Sequence, residues 1–111
     1  MDDRLPAELW IKAHIKRCMV EGIPATVVHR GEKNSGMLIL KLNQLDQGVK
    51  VLSQTRDMEG AIAWMPALGG ELVAEADADA YIERAVKRDP DVWVVEIEDR
   101  DGNHPFEGKL L

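Results

Sequence analysis

The run Met37-Leu38-Ile39-Leu40 constrains this chain more than any other stretch, because it is apolar at every position. A half-exposed strand alternates apolar and polar residues; four apolar residues in succession predict a strand covered on both faces and placed inside a sheet. The rest of the sequence must supply its neighbours and its covering layers. With 111 residues, 45% of them apolar, the chain holds enough material for one core.

Upstream, Ile23-Pro24 leads into the β-branched run Ala25 to Arg30, and the polar, glycine-bounded segment Gly31 to Gly36 reads as a hairpin turn into Met37–Leu42. Turns at Asn43–Gly48 and Thr55–Gly60 frame further strands at Val49–Gln54 and Ala61–Met65, which predicts a four-stranded meander. Pro6 suits a first helical position and Gly22 a stop, so Pro6–Glu21 is expected as a helix. Asp77 is a candidate cap for a second helix running to about Arg88, with Ala78, Tyr81, Ile82, Ala85 and Val86 on one face and Asp89-Pro90 ending it. Trp93, Val95 and Ile97 then alternate with Val94, Glu96 and Glu98 in a last strand. The expected architecture is α+β, a mostly antiparallel sheet of about five strands with two helices packed on one face, in the order α-β-β-β-β-α-β. Residues 1–111 are expected to form a single domain with a poorly ordered, flexible tail from about Asn103.

Charge and cysteine usage narrow the functional classes. Cys18 is the only cysteine, so neither an intramolecular disulfide nor a thiolate metal cluster can form within one chain, and a cytoplasmic location is expected. Met1-Asp2-Asp3 has the wrong charge for a signal peptide and no apolar run approaches the roughly 18 residues of a spanning helix, so no membrane association is expected. A net charge of −6 and a pI near 5.0 argue against a nucleic-acid partner. The charge is also segregated: residues 1–50 carry eight basic and six acidic side chains, residues 51–111 six and fourteen. Such asymmetry favours attraction between the two halves, within or between chains.

No residue pattern identifies a catalytic centre, and no cofactor is expected. Glu96 and Glu98 project from one face of the last strand and are the candidate metal ligands, since paired carboxylates suit Mg²⁺; a solvated face paired with a neighbouring Lys or Arg is the favoured explanation, because the run lacks a liganding loop. His29 and Arg30 are the candidate anion-binding pair. Gly31 to Gly36 has the outer spacing of a phosphate loop, but Met37-Leu38 stand where Lys and Ser or Thr are needed, which excludes a nucleotide loop. Cys18 falls on the apolar stripe of the first helix and reads as an inert core thiol. That helix carries two stripes, one of Ile11, Ile15 and Cys18 and a second of Leu9, Ala13 and Val20, with Trp10 flanking the first. One sheet face cannot bury both, so Leu9, Trp10, Ala13 and Val20 are the candidate interface for a protein partner or a second copy. The alternative is a small metal-dependent enzyme acting on a phosphorylated substrate through Glu96, Glu98, His29 and Arg30.

The run from Arg88 to Arg100, Arg-Asp-Pro-Asp-Val-Trp-Val-Val-Glu-Ile-Glu-Asp-Arg, together with Leu9-Trp10, Lys16-Arg17-Cys18, Arg30-Gly31, Lys41-Leu42-Asn43 and Trp64-Met65, resembles a small alphaproteobacterial family, domain of unknown function 1491. The resemblance spans nearly the whole chain. It implies a small bacterial cytoplasmic protein and carries no catalytic residue across.

Overall fold

The computed structural model describes residues 5–111; Met1 to Arg4, on which the signal-peptide expectation rests, lie outside the described residues. The elements are α1 (Ala7–Val20), β1 (Ala25–His29), β2 (Leu38–Asn43), β3 (Val49–Arg56), β4 (Ile62–Pro66), α2 (Glu75–Arg88), β5 (Trp93–Glu98) and β6 (Lys109–Leu110). They form an α+β fold with a six-stranded mixed sheet in the order β1-β5-β2-β3-β4-β6. Pairings β1–β5, β2–β3 and β3–β4 are antiparallel, whereas β2–β5 and β4–β6 are parallel. Among the described residues no helix is long and apolar enough to cross a membrane.

β2 is the interior strand its composition demands, buried from Leu38 to Leu42. The helices, expected on one face, lie on opposite faces. Leu38, Leu40 and Leu42 pack with Trp93, Val95, Ile97 and the Ile11 and Cys18 side of α1. Ile39, Val49, Val51 and Val94 pack with Ala78, Ile82 and Ala85 of α2. The cause lies in β2 itself: successive side chains alternate between faces, so a strand apolar throughout needs a layer on each side.

The expected hairpin between β1 and β2, and with it the four-stranded meander, is also corrected. β5 inserts between them, Ala25 standing opposite Ile97 and Leu40 beside Val95, and only β2-β3-β4 forms a meander. Gly31 to Gly36 therefore straps across the start of β5 instead of turning tightly. A Cβ on Gly31 or Gly36 would collide with the Asp91 carbonyl oxygen, so these glycines allow backbone to lie on backbone. Glu32 N donates to Asp91 O at 2.9 Å, and Trp93 Nε1 donates to Glu32 O at 2.8 Å.

α1 ends where Gly22 adopts φ +74°, with Ile23 N donating to Cys18 O at 2.8 Å and Gly22 N to Met19 O at 3.1 Å, the paired bonds of a Schellman cap. α2 begins two residues before the expected cap: Asp77 lies inside the first turn beside Glu75, where carboxylates favour the positive end of the helix dipole. The segment from Asn103, expected to be a poorly ordered tail, packs along the sheet. Phe106 is buried in the α1-side core, Trp64 Nε1 donates to Glu107 O at 3.0 Å, and Lys109 and Leu110 pair with Ala63 and Trp64. A single aromatic residue in nine supplies the anchor that periodicity does not reveal.

Candidate functional site

α1 divides cleanly by phase. Ile11, His14 and Cys18 are buried against the sheet. Leu9, Ala13 and Val20, at i, i+4 and i+11, lie on the opposite side and are exposed, Leu9 at 53% and Val20 at 83%, with Met19 at 71% beside them. The cations Lys12, Lys16 and Arg17 are interleaved on the same exposed surface. Trp10, the fourth candidate interface residue, is half-buried on the flank of the helix. Its ring lies 3.9 Å from that of His14 and 6.0 Å from that of Phe106.

On that flank the structure opens a groove of about 420 Å³ that sequence patterning does not reveal. One wall is Ala7, Trp10 and Ile11 of α1, the other is the loop from Asn34 to Met37, and Gln54, Arg56 and Ile62 form the floor. Two local rules place these residues. Leu52, Gln54 and Arg56 share the α1 face by strand alternation, so that face turns polar as β3 runs out from the core. α1 lies over β1 at the far side of the sheet, so among the described residues the ends of β3 and β4 are not packed beneath it. Gln54 Oε1 accepts from Leu38 N at 3.1 Å, and Arg56 Nη1 donates to Gly60 O at 2.8 Å, which holds both side chains in place.

The remaining candidates are dispersed. His29 Nδ1 is 2.8 Å from Val92 O. Arg30 stacks over the Trp93 ring at 5.3 Å and donates to the Glu8 carboxylate, which this guanidinium holds below the usual carboxylate range. Arg30 thus belongs to the α1 side. Glu96 belongs to the α2 side, accepting from Asn43 Nδ2 at 2.9 Å and standing 3.7 Å from Lys41 Nζ, while Glu98 is exposed. The sheet separates Arg30 from Glu96, His29 stands opposite Val94 of the α2-side core, and the groove is lined by none of the four candidates. Where carboxylates do converge, the positive charge is already supplied: the buried Lys41 ammonium donates to Glu75 and Asp79, each at 2.8 Å. Burial alone would lower the Lys41 pKa, but these bonds and the nearby Glu96 raise it. Among the described residues no three His, Cys, Asp or Glu side chains form a group able to hold a metal ion.

The glycine-bounded loop spends its donors internally. Asn34 N, Ser35 N and Ser35 Oγ all donate to Glu32 Oε1, which pulls the Glu32 carboxyl below its ordinary value and leaves those groups engaged. Cys18 is fully buried, and desolvation pushes its thiol up, away from reactivity. His14 is buried with Nδ1 on Trp10 O at 2.7 Å and no partner for Nε2 among the described residues.

A family described as "Protein of unknown function (DUF1491)" matches residues 5–107. The crystal structure of a DUF1491 family protein from Caulobacter crescentus CB15 shares 35% sequence identity, covers 97% of this chain and 100% of its own, and superposes with a TM-score of 0.86. An NMR structure of a DUF1491 family protein from the same organism shares 35% identity over 96% of both chains, with a TM-score of 0.82. The solution structure of protein Atu0922 from A. tumefaciens, 26% identical over 86% of both chains, gives 0.71. No curated protein matches the chain.

Proposed function

The chain belongs to the DUF1491 family, and from that premise we propose that it is a non-catalytic, cytoplasmic interaction module that docks a protein partner through the outward face of α1. The observation that supports this most is the exposed stripe of Leu9, Ala13 and Val20, extended by Met19 and flanked by Lys12, Lys16 and Arg17. An apolar strip rimmed by cations fits a partner surface with an apolar centre and an acidic border. A second copy offers that chemistry in part, since α2 exposes Glu75, Asp77 and Glu83. The whole chain is proposed to act as one folding unit, because the segment from Asn103 completes the core beneath α1.

Leu9→Glu combined with Ala13→Glu tests the proposal. Both side chains are exposed, so each substitution is expected to change stability by no more than about 0.5 kcal/mol. Association measured by solution mass and by pull-down against a partner identified with the wild type is expected to be lost. A variant with the same mass and the same partners as the wild type overturns the proposal.

A further inference from the structure

We infer that the groove beside the first turns of α1 binds a small amphipathic monocarboxylate, an alkyl or aryl chain carrying one carboxylate. Its volume of about 420 Å³ lies in the lower part of the roughly 300–1,000 Å³ range of small-molecule sites, which suits a single chain or ring better than a nucleotide. The α1 wall of Ala7, Trp10 and Ile11, with Met37 and Ile62 facing it, is apolar and asks for an apolar body. The polar part of the floor, Gln54 and Arg56, offers donors. Among the described residues Arg56 uses one N–H on Gly60 O, which leaves guanidinium donors for an anion, and Gln54 uses its oxygen on Leu38 N, which leaves its amide N–H groups. A guanidinium fork matches a carboxylate in plane and spacing, and one cation balances one negative charge. In a chain of net charge −6, an anion gains affinity only where such a local cation meets apolar walls. The groove lies on the flank of α1, apart from the outward stripe, and the two sites are tested separately.

Trp10 is the reporter, because Trp64 and Trp93 are 1% exposed while Trp10 is half-buried in the groove wall. Full-length protein is titrated with octanoate, decanoate and 1-decanol, following tryptophan fluorescence and amide NMR shifts. Decanoate is expected to perturb Ala7, Trp10, Met37 and Ile62 and to leave Ala13 and Val20 unchanged. Each added methylene is expected to tighten binding about fourfold, and Arg56→Gln to weaken decanoate about fivefold, the scale of an exposed ion pair. Ile62→Trp, which fills the floor, is expected to abolish the shifts. Decanol binding as tightly as decanoate, decanoate affinity unchanged in Arg56→Gln, or shifts centred on Ala13 and Val20 would each overturn the assignment.

Discussion

Lys41 in β2 and Glu96 in β5 are direct register partners in the parallel pair at the centre of the sheet, with the lysine ammonium 3.7 Å from the glutamate carboxylate. The same ammonium reaches Glu75 and Asp79 on α2, so one buried cation ties two central strands to the helix above them.

Lys41→Ala is expected to cost about 3 kcal/mol, since it removes the cation and leaves Glu96 facing an emptied position. Lys41→Met, which keeps the apolar stem, is expected to cost about half as much, as read by urea unfolding at pH 8. The raised Lys41 pKa sets the alkaline sign. The contribution is fully present below the ordinary lysine value of about 10.4 and is lost as pH rises through the folded value. The wild type is therefore expected to lose stability above that pH more steeply than Lys41→Met.

Gly36→Ala and Gly31→Ala are expected to destabilise by about 1–3 kcal/mol each, through collision with Asp91 O and displacement of the strap from β5. Ser35→Ala, one residue away and exposed, is expected to stay within about 1 kcal/mol because it removes one side-chain bond to Glu32. Thermal unfolding of the three variants side by side checks the order.

Phe106→Ala is expected to cost about 3–4 kcal/mol, the scale of a buried aromatic truncation. If the chain is one folding unit, the loss appears as a lower midpoint of a single transition, with near- and far-ultraviolet circular dichroism coincident. Amide exchange is expected to accelerate at Leu111, whose N–H donates to Trp64 O at 2.9 Å.

Acidification is expected to weaken the fold in two steps. Burial lowers the His104 pKa, so the unfolded chain takes up the proton first and stability falls as pH drops through the ordinary histidine value of about 6.5, levelling off below the folded value. Arg30 beside Glu8, and backbone amides on Glu32 and Asp57, hold those carboxyls low. Their contribution is present above about pH 4 and disappears as pH falls through their folded values. Denaturant midpoints measured from pH 8 to pH 3 show both steps, and His104→Gln is expected to remove the first alone.

Most elements were legible because each is written locally. The Pro6 and Gly22 signals place α1 within a residue of its bounds, and the Trp93 alternation gives β5 its full extent. Strand order was not legible, since nothing within Ala25–His29 says that its neighbour is β5, and a glycine-bounded polar segment has the same composition whether it turns or straps. The opposite placement of the helices was implicit in Met37–Leu42, a run with two faces to cover. Lys41 also carried a signal: a lone lysine within that run needs carboxylates, and Glu75 and Asp79 stand four residues apart on one helix face. The groove has no sequence signature, because its walls come from α1, a loop and a hairpin end distant along the chain. Of the candidate site residues, Leu9, Ala13 and Val20 were legible as a stripe, while Trp10 packs against His14 one turn on and against Phe106, and the second contact depends on where the last nine residues run.

The insertion of β5 between β1 and β2 fixes when the sheet can close. Leu38 and its neighbour Trp93 are about 55 residues apart, so the central pairing carries a large loop-closure entropy and belongs to the slow end of folding for a domain this size. During synthesis β1 and β2 emerge early and wait with unpaired backbone edges until Glu98 leaves the ribosome. A chain stalled before that point presents two strand edges with their partner missing, and is expected to aggregate more readily than the full-length chain.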